Sequence, residues 1–248
     1  MKRNCEPEHN VSKWTHEQFV YFDVCGTLVN RNTTFDFIVY YHREQKYWLR
    51  WLITAFFITL PGKVVRKILG FSLRRFFLQT LRSEKHTDLY RVAEGYVEHL
   101  LAHYRIEPVF EHFNRYQQAG DYQLVLLSAS IDPVIATLGN RLGAMSYSST
   151  LAYQNGRCEG NLAADLKGTK HPVFEANAKQ GSETKRKALA FYSDNIDDFH
   201  CAHFVERYFY IVKGKTECVG TVLPPPPECK ITDPKCDVPP QNISILYV

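Results

Sequence analysis

The run Phe19-Val20-Tyr21-Phe22 stops at Asp23 and turns over Gly26. Aromatic and β-branched residues without alternation, bounded by glycine, predict a strand buried on both faces. Strands of that kind belong to parallel sheets, which carry their functional groups at the strands' carboxyl ends. Asp23 therefore stands where a nucleophile or a metal ligand belongs; the plainer reading is a loop cap after a core strand. Gly26 and Thr27 would let backbone and hydroxyl donors approach an anion.

Two more runs repeat the pattern. Gln123-Leu124-Val125-Leu126-Leu127 ends in Ser128-Ala129-Ser130, and Ala188-Leu189-Ala190-Phe191-Tyr192 ends in Ser193-Asp194-Asn195-Ile196-Asp197-Asp198. Between them lies Leu166-Lys167-Gly168-Thr169-Lys170. These are the groups that phosphoryl transfer to an aspartate uses. Asp23 can attack, Ser128 can bind phosphate oxygens, a lysine can neutralise charge, and Asp194 can hold a divalent cation.

In this order and spacing, from about Phe19 to about Gly214, the chain resembles the haloacid dehalogenase superfamily, specifically its phosphoserine-phosphatase-like branch. The resemblance implies an α/β fold: a Rossmann-like parallel sheet with an inserted α-helical cap. It implies a Mg²⁺-dependent phosphomonoester hydrolase in which Asp23 forms an aspartyl-phosphate. Mg²⁺ would rest on the Asp23 carboxylate, the Cys25 backbone carbonyl and Asp194, with Asp198 a further ligand or an anchor behind them. Gly26, Thr27, Ser128, Ala129 and Lys170 would contact phosphate. Lys167 is the alternative lysine, while Lys185 and Lys187 are expected on a solvated surface.

One position departs from the family pattern. Its phosphatases usually carry a second aspartate two residues after the nucleophile, as general acid and then base; here that residue is Cys25. General acid–base catalysis contributes about 10²–10⁴-fold, and a thiol with a reference pKa of about 8.5 serves it poorly. Two alternatives follow: a catalytically weak protein that binds a phosphorylated ligand, or a phosphotransferase or phosphonate-cleaving enzyme. The dehalogenating members lack the metal-binding acid as well, so Asp194 favours phosphate and Mg²⁺ over halide.

A chain of 248 residues, 45% hydrophobic, suits one core with a cap. Its formal charge of +4 is too mild to argue for nucleic acid, but the charge is unevenly spread. No acidic residue separates Glu44 from Glu84, whereas Lys46, Arg50, Lys63, Arg66, Lys67, Arg74, Arg75 and Arg82 fall there. The seven cysteines form no CxxC pair, so reduced thiols and a cytoplasmic setting are expected, with Cys229 and Cys236 able to pair within the tail. The N-terminus has no apolar h-region and is not read as a signal peptide. The Asn10, Asn32 and Asn242 glycosylation-type triplets are then chance.

The expected organisation is a lead-in over 1–18, the α/β core over 19–31 and 116–215, the helical cap over 32–115 and a proline-rich tail over 216–248. Alternation around Asn155-Gly156 predicts a hairpin, 136–142 a helix and 206–212 a last strand. The tail is read as extended, with its proline run a linker rather than an SH3-type ligand. His200-Cys201-Ala202-His203 is set aside as a zinc site for want of remote ligands. The apolar stretch from Trp51 to Leu60 falls well short of the roughly 20 residues that span a bilayer. Either it packs the cap, or it lies on an anionic membrane surface as a basic, aromatic interfacial segment.

Overall fold

The computed structural model describes residues 18–59, 72–179, 187–212 and 243–248. The described strands form one seven-stranded sheet in the order β4-β3-β2-β1-β5-β6-β7. They are β1 (Gln18–Phe22), β2 (Tyr122–Ile131), β3 (Met145–Gln154), β4 (Arg157–Ala164), β5 (Ala188–Ser193), β6 (Val205–Val212) and β7 (Ile243–Tyr247). Every neighbouring pair is parallel except β3 with β4. This is the α/β architecture with an inserted helical cap.

The continuous apolar runs follow from burial on both faces. Along β1, Val20 and Phe22 enter one apolar cluster with Leu124, Leu126, Ala190 and Tyr192, while Tyr21 enters another with Val125, Leu127 and Phe191. A period of two sends successive side chains to opposite faces, and here both faces are covered. Phe22 stacks on Tyr192 at 4.6 Å, and Tyr192 on Phe209 at 4.3 Å, which ties β1, β5 and β6 together under the site. Burying such rings is worth several kcal/mol, so Phe22→Ala would cost about 3–5 kcal/mol.

Between β1 and β2 the chain makes α1 (Thr33–Glu44), α2 (Trp48–Ile58), α3 (Leu73–Gln79), α4 (His86–His103) and α5 (Glu107–Ala119). Asn32 caps α1 by accepting from the Phe35 amide at 3.3 Å. Departure and return run side by side: Asn30 N–H donates to Tyr104 at 2.8 Å, and Ile106 N–H to Leu28 at 2.9 Å. The cap is thereby stitched across its own neck. The helices α6 (Asp132–Leu142) and α7 (His171–Lys179) and a 3₁₀ helix over Ile196–Phe204 complete the described elements.

The hairpin turns at Asn155 and Gly156, with φ of 51° and 72°. Two successive left-handed residues are what a two-residue hairpin loop demands. The hairpin reaches the cap: Ser83 N–H donates to the Cys158 carbonyl, Cys158 N–H to Glu84 and His86 N–H to Gly156, at 2.7, 2.8 and 2.9 Å. The sequence reading differs from the structure at the far end, where Ile243–Tyr247, expected as tail, adds strand β7 beside β6. Its Ile-Ser-Ile-Leu-Tyr composition suits a strand, but the prolines before it hid that signal. Residues 1–17 and 213–242, with the proline run and Cys229 and Cys236, lie outside the described residues.

Candidate active site

Strand ends assemble the site. Asp23 directly follows β1 and its amide donates to the Tyr192 carbonyl of β5 at 2.8 Å, so the sheet itself fixes its direction. The Lys170 ammonium lies 3.0 Å from Asp23 Oδ1 and 2.7 Å from Asp198 Oδ2, and all three side chains are buried. Ser193, the last residue of β5, donates to the same Asp198 oxygen at 2.7 Å. Lys170 is thus held from behind by Asp198 and presented to Asp23. Lys167 and Lys187 are exposed, and Lys185 lies outside the described residues.

One cation faces two buried carboxylates, and the sum is carried by Asp23. Burial first, then the negative charges of Asp198 and Asp194, push its pKa up to about 6 against the pull of Lys170. Lys170 is buried, which opposes its charge, yet Asp23 and Asp198 raise its pKa above the ordinary value. It is a fixed cation at neutral pH.

Gly26, at φ 82°, carries the Asp194 carboxylate against its backbone so closely that a Cβ would overlap it. Thr27 Oγ1 accepts from the Asp194 amide at 2.9 Å and donates to its carboxylate at 3.4 Å. The Gly26 amide donates to Val29 and the Thr27 amide to Val24. These donors, expected to face an anion, instead close the loop and seat Asp194. The demand for glycine is steric.

Ser128 is buried, and its hydroxyl accepts from the Ser130 amide at 3.3 Å. The register of β2 on β3 shifts between Ser128 and Ile131, a local bulge that re-aims this strand end. The Ala129 carbonyl accepts from Arg74 of α3 at 2.7 Å and from Ser149 at 3.0 Å. Arg74 also pairs with Asp165 at 2.9 Å. A cap side chain therefore reaches down to the bulge, a contact across 55 positions that no local pattern announces.

Cys25 has a different setting. Its Sγ lies 3.0 Å from Thr33 Oγ1 and accepts from the Thr33 amide at 3.4 Å. Thr33 donates on to Ser130 at 2.7 Å, and Thr34 lies 2.9 Å from the same hydroxyl. Burial, then the Asp23 charge, raise the thiol pKa. Cys25 is a neutral thiol in a buried hydroxyl cluster. Thr33, Thr34 and Ser130 carry no motif that sequence reading could have used.

The donors suit a hard cation. Asp23, Asp194 and the Cys25 carbonyl would supply oxygen ligands, and Mg²⁺ characteristically takes one or two carboxylates and keeps several waters. Among the described residues no three His, Cys, Asp or Glu side chains gather into a metal cage, the His200–His203 segment included. Asp198 Oδ1 is buried without a partner among the described residues, while its other oxygen holds Lys170.

The haloacid dehalogenase-like hydrolase family matches residues 20–203, three quarters of the chain and every residue of this cluster. The chain belongs to that family. No curated protein matches the sequence. Among solved structures, a protein of unknown function from Bordetella pertussis Tohama I aligns at 19% identity and TM-score 0.60, covering 79% of this chain and 91% of its own. Phosphoserine phosphatase in its apo form aligns at 15% identity and TM-score 0.52, covering 78% and 86%. A substrate-bound phosphoserine phosphatase aligns at 14% identity and TM-score 0.52, covering 78% and 85%. The fold of this hydrolase is that of the phosphoserine-phosphatase-like proteins.

Proposed function

We propose that this hydrolase is a Mg²⁺-dependent phosphomonoester phosphatase that works through an aspartyl-phosphate on Asp23, with a small or lipid phosphate as substrate. The observation that carries this reading is the buried Lys170 ammonium 3.0 Å from Asp23, with Asp198 behind it. Such a pairing presents a carboxylate oxygen and a positive charge together at the strand ends. Asp23 attacks phosphorus, the bond to the leaving oxygen breaks, and the phosphoryl group rests on the Asp23 carboxylate. Lys170 and the Ser128 hydroxyl meet the charge on the phosphoryl oxygens. Water then attacks the same phosphorus and releases Asp23 with inorganic phosphate. Mg²⁺, held by Asp23, Asp194 and the Cys25 carbonyl, would supply charge neutralisation at the phosphate. The cytoplasm is the proposed setting, in keeping with the unpaired thiols of Cys25, Cys158 and Cys201.

A second reading draws on Cys25. A thiol bound to Thr33 supplies neither acid nor base at the position where a carboxyl is expected, which favours slow release of the phosphoryl group or its transfer to an acceptor other than water. A panel of phosphomonoesters, lipid phosphates among them, assayed with and without Mg²⁺ decides between the readings. Release of phosphate that requires Mg²⁺ supports the phosphatase. Stoichiometric labelling of the protein without turnover supports the second reading, and neither signal from any substrate overturns both.

A further inference from the structure

Among the described residues, nothing covers the apolar outer face of α2. Trp48, Leu49, Leu52, Ile53 and Phe56 recur at helical spacing, and Trp48, Leu49 and Leu52 are 60%, 72% and 57% exposed. The opposite face does the packing. Thr54 is buried with its hydroxyl bonded to the Arg50 carbonyl at 2.8 Å, and Phe57 meets Phe76 at 5.2 Å. Arg50 is the only charged residue of the helix, and it is turned away into a 2.8 Å pair with Glu84. A surface helix ordinarily puts charge toward water. This one has a single charge, the exposed Arg50, and it is held by Glu84.

The charge around the face narrows the occupant. Arg43 and Lys46 are exposed just before the helix, with exposed Glu44 between them paired to Arg43, and beyond Glu44 the chain holds no acidic residue until Glu84. A protein partner's apolar face would need no such one-sided charge, whereas a bilayer with anionic headgroups matches both features. With 11 residues, α2 is too short to cross, and no described helix is long and apolar enough to span a membrane. We propose that α2 lies in the interface of an anionic lipid surface, with Trp48, Leu49, Leu52 and Phe56 among the acyl chains and Lys46 at the headgroups. The cap would dock on the membrane by this face while the core stays in water. The inference stands on α2 alone and is independent of the chemistry at Asp23.

Co-sedimentation of the full chain with vesicles of phosphatidylglycerol and phosphatidylcholine, against phosphatidylcholine alone, tests it. The chain should pellet with the anionic vesicles, and Trp fluorescence should shift to the blue as Trp48 leaves water. Added salt should weaken the association, because screening acts on its charged part. The combined variant Leu49→Glu, Leu52→Glu, Phe56→Glu should lose at least tenfold in affinity, with its circular dichroism unchanged since these side chains are exposed. Lys46→Gln should lose roughly fivefold, the scale of one basic residue at such a surface. Running both chains in the Asp23→Asn background keeps the result separate from catalysis. Wild type remaining in the supernatant at low salt, or either variant pelleting as well as wild type, overturns the proposal. Wild type that self-associates through this face without binding vesicles also overturns it, assigning the face to a second copy of the chain.

Discussion

The two sides of the loop after β1 are built from opposite materials. Asp23 faces charge: Asp194 follows β5, Asp198 lies in the 3₁₀ helix over Ile196–Phe204, and Lys170 comes from the segment before α7. Cys25, two residues on, faces neutral hydroxyls: Thr33 and Thr34 of α1, and Ser130 of the β2 bulge. The ionic side is anchored to the sheet through the Asp23 amide, which donates to the Tyr192 carbonyl. The neutral side joins the sheet to the cap. On the proposed mechanism the nucleophile and its cation stand on the ionic side, while the position of the expected acid–base carboxyl holds a thiol. On that reading, any loss of catalytic power falls on proton transfer, to the leaving oxygen and then from the attacking water.

The largest effect should come from opening the ionic side. Lys170→Met leaves Asp23 and Asp198 buried without their cation, and loss of one partner of a buried pair costs about 3–5 kcal/mol. Chemical denaturation should show that loss together with the end of turnover; a variant as stable as wild type would mean that the pair is open to solvent.

Asp23→Asn sharpens the same point with an inverted sign. In the metal-free protein Asp23 has its pKa raised from 3.8 to about 6, so the folded state binds more protons than the unfolded one between those values. Stability from this group is full at acid pH and is lost as pH rises through about 6, by about 3 kcal/mol at neutrality. An amide escapes that loss. Asp23→Asn should melt higher than wild type at pH 7.5, and the two should converge near pH 4. Mg²⁺ should then raise the wild-type melting temperature and leave that of the variant unmoved. A variant less stable at pH 7.5 would show that attraction to Lys170 outweighs burial.

On the neutral side, Cys25→Asp should raise hydrolysis toward 10²-fold, the low end of acid–base catalysis. The Thr33 amide, which now donates to the sulfur, is a donor suited to a carboxylate. Single-turnover assays should show dephosphorylation accelerating most. An unchanged rate with folding intact would mean that another group already moves the proton. The smallest effect belongs to Thr33→Val, which removes one hydroxyl link and should cost about 1 kcal/mol, with turnover changed less than tenfold. A larger loss of turnover would make the hydroxyl cluster part of the chemistry.

How far the sequence was legible follows the same division. Asp23, Ser128 and Asp194 end or follow runs whose burial on two faces can be read locally, and they lie at the carboxyl ends of the inner strands β1, β2 and β5, with Lys170 brought in from the segment before α7. Spacing before Asp194 favoured Lys170 with Lys167 as the alternative; in the structure Lys170 is buried against Asp23 and Lys167 is exposed. Gly26 and Thr27 were legible as a turn, but their partner Asp194 lies 167 positions from Thr27. Thr33 with Ser130 and Arg74 with Ala129 are equally non-local, and short polar residues in a helix and a bulge look like any others. Strand β7 was hidden because the prolines before it led its residues to be read as tail.

The central claim is that Asp23 accepts the phosphoryl group. Intact-protein mass spectrometry of acid-quenched samples, taken during turnover with Mg²⁺ and an active phosphomonoester, tests it most directly. The account predicts a mass gain of one phosphoryl group, mapped to the peptide containing Asp23, lost in Asp23→Asn and depleted in Cys25→Asp as dephosphorylation quickens. A phosphoryl group found on another residue, or turnover that persists in Asp23→Asn, would contradict it.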